Sequence, residues 1–172
     1  RYNLLQKVQN IVLIGMPYSG KSTIGSMLAK LLDKPFLDSD VFIVEQQQQS
    51  IAEIFDGIGE KGFRKIEKEA IELLSKNKGV ILSVGGGAVL DEENRYHLSK
   101  NGFVVYLKRD HDMIEFEGHS RPLTHNLESF VKLEERRTPV YTAMCDIIVG
   151  NDASLERVAQ KIKEYYNEIL SH

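Results

Sequence analysis

The chain has 172 residues, 42% hydrophobic and 27% charged, with a formal net charge of −3 and one cysteine, Cys145. That is the size of one domain able to bury a core without staples, and its slight acidity argues against nucleic acid as the main partner. The lone cysteine leaves no intrachain disulfide and fits a reducing compartment. Arg1-Tyr2-Asn3 shows no signal-peptide pattern and no apolar run approaches membrane-spanning length, so a cytoplasmic protein that touches no membrane is expected, taken as a monomer.

Short apolar runs alternate with amphipathic stretches, which is the α/β pattern. Residues 11–14 predict the first strand and residues 22–32 the first helix, with Ile24, Met27, Leu28, Leu31 and Leu32 at helical spacing. Between them lies Gly15-Met16-Pro17-Tyr18-Ser19-Gly20-Lys21-Ser22-Thr23, a G-x-x-x-x-G-K-S loop between strand and helix. Such a loop wraps a polyphosphate with its amides at a helix N-terminus. Lys21 supplies a point charge for the outer phosphates, and the Ser22 hydroxyl is placed to ligate Mg²⁺. Tyr18, Ser19, Gly20, Lys21, Ser22 and Thr23 are therefore candidate nucleotide contacts, with ATP and Mg²⁺ as the expected cofactors.

A second strand ends at Asp38, and helical stretches follow from about residue 41 and over 51–55. Gly57-Ile58-Gly59 breaks the pattern before Phe63, Ile66, Ala70, Leu73 and Leu74 mark one face of a longer helix. Residues 80–84 predict a third strand running into Gly85-Gly86-Gly87, Asp91 a helix cap, and residues 103–107 a fourth strand. The polar stretch 108–126 carries His111, His119 and His125 at spacings that match no zinc site. A helix over about 127–142, a strand at 147–149 and a final helix capped by Ser154 complete the chain. The expectation is one domain, residues 1–172, with a five-stranded parallel sheet flanked by helices on both faces. Ligands of such sheets collect beyond the carboxyl ends of the strands, so the features found there should share one crevice.

Asp38 and Asp40, at alternate positions at a strand end, suit a Mg²⁺ shell for one carboxylate and a substrate hydroxyl for the other, or a plain loop and helix cap. Arg64 and Glu67 stand one helical turn apart, either as an exposed ion pair or as a guanidinium oriented toward an anionic substrate. The triple glycine admits a ligand close to the backbone. Arg121-Pro122-Leu123 falls in the irregular stretch where a lid would be, and Arg136-Arg137 near a helix end, where two cations complement the macrodipole.

Taken in order, the motifs G-x-x-x-x-G-K-S-T, L-D-S-D, G-E-x-x-F-R-x-x-E, S-V-G-G-G, R-P-L and R-x-P-x-Y resemble those of the shikimate kinase family. They stand here at residues 15–23, 37–40, 59–67, 83–87, 121–123 and 137–141. The resemblance implies a nucleoside-monophosphate-kinase-like sandwich and transfer of a phosphoryl group from ATP to the 3-hydroxyl of shikimate. It implies that Asp40, Arg64, Gly86 and Arg137 hold shikimate, with the two arginines on its carboxylate. By the same resemblance Ser22 would ligate Mg²⁺ and Asp38 assist it through water, while Lys21 and Arg121 would stabilise charge on the transferred group. It also implies that Asp40 is the candidate proton acceptor, with a substrate-binding helical region at about residues 39–76 and a lid at about residues 108–126.

Three features depart from the family pattern. Tyr18 stands where the loop usually has a further glycine, so its ring is expected to point outward or to reshape the mouth of the site. No Lys or Arg lies between Arg109 and Arg121, where Asp110, Asp112, Glu115 and Glu117 stand, and these acids should oppose closure over a nucleotide. Gly150-Asn151-Asp152-Ala153 lacks the arginine often found near the adenine. Two other readings compete: a P-loop kinase for another hydroxy acid such as gluconate, and a nucleotide-binding regulatory protein with slow or lost turnover.

Overall fold

The computed structural model describes residues 7–110 and 126–171. In chain order the elements are β1 (Asn10–Ile14), α1 (Lys21–Leu32), β2 (Phe36–Asp38), α2 (Ser39–Gln47), α3 (Ile51–Leu74) and β3 (Ile81–Ser83). A short 3₁₀ turn (Ala88–Leu90) leads to α4 (Glu92–Asn101), β4 (Gly102–Lys108), α5 (Leu127–Met144), β5 (Ile147–Gly150) and α6 (Leu155–Leu170). The five strands form one parallel sheet in the order β2-β3-β1-β4-β5. This is the expected doubly wound sandwich.

The sheet is covered on both faces, which is why its central strands read as unbroken apolar runs. Side chains alternate across β1. Ile11 and Leu13 join Ile24 and Leu28 of α1 and Val158, Ile162 and Tyr166 of α6 in one buried cluster. Val12 and Ile14 face the other way, toward Ile71 of α3, Leu98 of α4 and Phe130 and Tyr141 of α5. A smaller cluster of Ile43, Ile54, Phe63 and Ala70 holds α2 against α3. Among the described residues no helix is long and apolar enough to cross a membrane.

Local sequence explains most of the boundaries. Ser50 and Glu53 form a reciprocal capping box at the start of α3, and Ser154 caps α6 through the Arg157 amide. The predicted break after residue 55 falls at Gly59, whose φ of 73° and ψ of 178° interrupt α3 as a kink between two helical stretches. The helix expected over about 127–142 is α5, which runs through Pro139 to Met144, so Arg137 lies about two turns inside the helix. Arg137 is only 3% exposed, which rules out the helix-end role and points it into the molecule.

The carboxyl ends of the five strands all open on one edge. The phosphate loop leaves β1 there, Asp38-Ser39-Asp40 leaves β2, Gly85–Gly87 follows β3, Arg109 follows β4 and Asn151 follows β5.

Candidate active site

The loop between β1 and α1 is held by its own chain. Ser19 donates its amide to the Met16 carbonyl, and Gly20 sits in the left-handed region at φ 92° as the residue before the first turn of α1. Lys21 folds back so that Nζ donates to the carbonyls of Gly15 and Met16 at 2.8 and 2.9 Å. The ammonium therefore lies along the loop, where an anion seated in the loop would meet it. Tyr18 also takes a left-handed conformation, φ 69°, which explains why a glycine suits this position. Its ring does not swing outward. It packs against Phe130 in the first turn of α5, with ring centroids 6.3 Å apart.

Asp38 caps a helix and also reaches the phosphate loop. Its Oδ1 accepts the amides of Asp40 and Val41, capping α2, while its Oδ2 accepts the Ser22 hydroxyl at 2.7 Å. A hydroxyl and a carboxylate oxygen thus meet at the mouth of the phosphate loop. Hard oxygen donors of this kind fit Mg²⁺. Among the described residues no group of three or more His, Cys, Asp or Glu forms a metal cage.

Across the crevice two arginines close on the triple glycine. A Cβ built on Gly86 would lie 2.9 Å from Arg137 Nη1 and 2.9 Å from Pro17 of the phosphate loop. One built on Gly87 would collide with Arg64 Nη2 and lie 2.9 Å from Arg137 Nη2. Any side chain at either position would push a guanidinium out of the crevice. Glycine is required here by close approach, and the approaching groups are cationic.

The arginines are themselves fixed. Arg64 Nη1 donates to Glu67 Oε1 at 2.8 Å, and its Nη2 lies 3.3 Å from Glu60 Oε2. Glu67 is 1% exposed, so this is no surface ion pair. Burial raises its pKa from 4.5 to about 7 despite the opposing charge of Arg64. Its other oxygen, Oε2, has no hydrogen-bond partner among the described residues and turns toward Gly85, where a Cβ would lie 2.9 Å from it and 3.1 Å from Asp40 Oδ1. Burial likewise lowers the pKa of Arg137, against the favourable influence of Tyr141.

The structure thus brings Asp38, Asp40, Arg64, Gly86, Arg137 and residues 18–23 to one crevice. Arg121, the acids at 112, 115 and 117 and nearly all of the expected lid lie outside the described residues. Sequence reading assigned no role to two groups that hold the glycine loop and one that holds the phosphate loop. Tyr141, the last residue of R-x-P-x-Y, donates its hydroxyl to the Gly86 carbonyl and stacks on Tyr106 at 5.0 Å. Burial raises its pKa, so it stays a donor. Ser39, fully buried, accepts the Gly85 amide at 3.1 Å. Asn151 is tied to the phosphate loop, and no local motif marks it.

A phosphate loop on a parallel sheet, facing a separate cationic pocket with a carboxylate beside it, is the arrangement of the P-loop kinases of small molecules. A sequence model described as shikimate kinase matches residues 17–167. The shikimate kinase of Mannheimia succiniciproducens is 39% identical over 95% of this chain and 96% of its own length. That of Actinobacillus pleuropneumoniae serotype 5b is 42% identical over the same shares. Among solved structures, shikimate kinase from Acinetobacter baumannii in complex with shikimate superposes with a TM-score of 0.89 and 31% identity, covering 95% of this chain and 96% of that one. The chain belongs to the shikimate kinase family. A sugar kinase from Janibacter at 16% identity and a TM-score of 0.64 shares the fold alone.

Proposed function

We propose that this chain transfers the γ-phosphoryl group of ATP to the 3-hydroxyl of shikimate, giving shikimate 3-phosphate and ADP on the route to chorismate and the aromatic amino acids. Family membership supports this reading. The observation that carries it is the convergence of Arg64 and Arg137 on Gly86 and Gly87, opposite the phosphate loop. Two guanidiniums fixed around a glycine floor suit a planar carboxylate, and the neighbouring Asp40 suits a hydroxyl.

In this reading the protein aligns the two reactants and stabilises charge, as phosphoryl transfer requires. The amides of residues 18–23 cradle the phosphates, and Lys21 swings from the Gly15 and Met16 carbonyls to the transferred group. Ser22 and Asp38 would hold Mg²⁺, Ser22 as a ligand and Asp38 through water, and the cation would neutralise phosphate charge. Arg64, Arg137 and Gly86 seat the substrate carboxylate, and Asp40 takes the proton of the 3-hydroxyl. Arg121 supplies a further positive charge from the segment 108–126, which acts as the lid, while residues 39–76 form the substrate-binding region. The chain works as a cytoplasmic monomer on a small molecule, without nucleic acid or membrane.

Phosphorus NMR of the product formed from ATP and shikimate tests the assignment. Coupling of the new phosphate to the proton on carbon 3 is expected. A phosphate on another hydroxyl would contradict it.

A further inference from the structure

Two consecutive carbonyls of the phosphate loop are held from behind by side chains that lie beyond two different strands. Arg109, after β4, donates from Nη1 to the Tyr18 carbonyl at 3.3 Å. Asn151, after β5, donates from Nδ2 to the Ser19 carbonyl at 2.7 Å. The Asn151 amide is itself fixed, donating to the Lys108 carbonyl at the end of β4 at 2.7 Å. Asn151 is 6% exposed, and a Cβ on Gly20 would lie 2.5 Å from its Nδ2. Gly20 is therefore required twice, by its left-handed backbone and by the asparagine packed on it.

A trans peptide unit is planar, with its C=O and N–H pointing in opposite directions. Fixing the Ser19 oxygen on Asn151 turns the Gly20 N–H away from Asn151. Successive N–H groups turned to one side of a loop make an anion nest. A carbonyl oxygen can only accept, so the nitrogen end of the Asn151 amide must face it. This contact is buried, spans 132 residues of sequence and uses no group assigned to substrate or metal.

We propose that Asn151 is a positioning residue for triphosphate binding: it presets the Ser19–Gly20 peptide so that the loop is ordered before the nucleotide arrives. Setting a binding loop in advance removes an ordering cost that would otherwise weaken the complex. Asn151 acts through the loop and touches no substrate. The proposal rests on the reading of residues 15–23 as an ATP site.

Asn151→Asp keeps the side chain's shape but replaces the donor with an acceptor, and Asn151→Ala removes both. Calorimetric titration with ATP and with shikimate, beside steady-state kinetics, should show ATP Kd and KM raised about tenfold in Asn151→Ala and further in Asn151→Asp. Shikimate Kd should stay within about twofold of the parent. Unchanged ATP affinity, or equal weakening toward both ligands, would overturn the proposal. A parent protein that binds no ATP would instead overturn the reading of the site itself. A measurement on the parent keeps the test independent of variant folding. Scalar coupling across the Asn151 Nδ2–H to Ser19 carbonyl bond should be present with and without a non-hydrolysable ATP analogue. Its absence from the nucleotide-free protein, or from both forms, would also overturn the proposal.

Discussion

Arg64 and Glu67 meet at 2.8 Å inside the protein, with the carboxylate almost wholly buried and one of its oxygens left without a hydrogen-bond partner among the described residues. The pair is costly by itself, since burial is what raises the Glu67 pKa to about 7. Its effect is to hold the Arg64 guanidinium beside that of Arg137 at the glycine floor. Removing either arginine should therefore remove an anion anchor and leave the phosphate loop intact. Arg64→Ala and Arg137→Ala should each weaken shikimate binding about a hundredfold, with ATP binding changed by no more than about threefold. Titration of each variant with both ligands checks this, and a parallel loss of both would mean general unfolding.

Glu67 also gives the fold a pH dependence. The unfolded chain releases this proton near 4.5 and the folded chain near 7, so the folded form holds more protons between those values. The stability due to the proton is complete below pH 4.5 and is lost as the pH rises to 7. The shift amounts to about 3 kcal/mol at most. Glu67→Gln cannot lose a proton, so parent and variant should diverge across that window in urea unfolding, the parent losing stability relative to the variant. Parallel curves from pH 4.5 to 7.5 would show that the group keeps an ordinary pKa.

Tyr18 carries a side chain at φ 69° and rests its ring on Phe130. The usual order of stability for small replacements should invert here. Tyr18→Gly and Tyr18→Ala both lose the ring, but only glycine adopts a left-handed backbone freely, so it should be more stable than alanine by about 1 kcal/mol. Chemical denaturation of the two variants decides; alanine at least as stable as glycine would refute the argument from strain.

Asp38 serves a helix cap with one oxygen and Ser22 with the other. Asn caps a helix about as well as Asp, so Asp38→Asn should leave the melting temperature nearly unchanged. It removes the negative charge beside the proposed cation, and the Mg²⁺ concentration for half-maximal activity should rise about tenfold or more. An unchanged Mg²⁺ requirement would restrict Asp38 to the cap.

Much of this was readable in the sequence because it depends on local signals. The strand, G-x-x-x-x-G-K-S and helix are contiguous, and the capping residues Asp91 and Ser154 announce their helices within three positions. The break at Gly59 followed from two glycines in a short span. Arg137 was harder. Its neighbours suggested a helix end, and only the packing of α5 against the rest of the molecule makes it a buried group. Nothing in the sequence near Tyr141 or Asn151 reveals their partners, because each contact crosses more than fifty residues and depends on the sheet order. Ring direction at Tyr18 was equally hidden, since it follows from Phe130 arriving beside the loop.

The central claim is that the pocket formed by Asp40, Arg64, Gly86 and Arg137 selects shikimate as the acceptor. Steady-state ADP release with ATP, Mg²⁺ and a panel of hydroxy acids tests it most directly. The account predicts turnover with shikimate at a kcat/KM at least about a hundredfold above that for gluconate, which lacks the rigid ring that holds carboxylate and hydroxyl apart. Measurable ATP binding without turnover of shikimate, or equal turnover of gluconate, would contradict it.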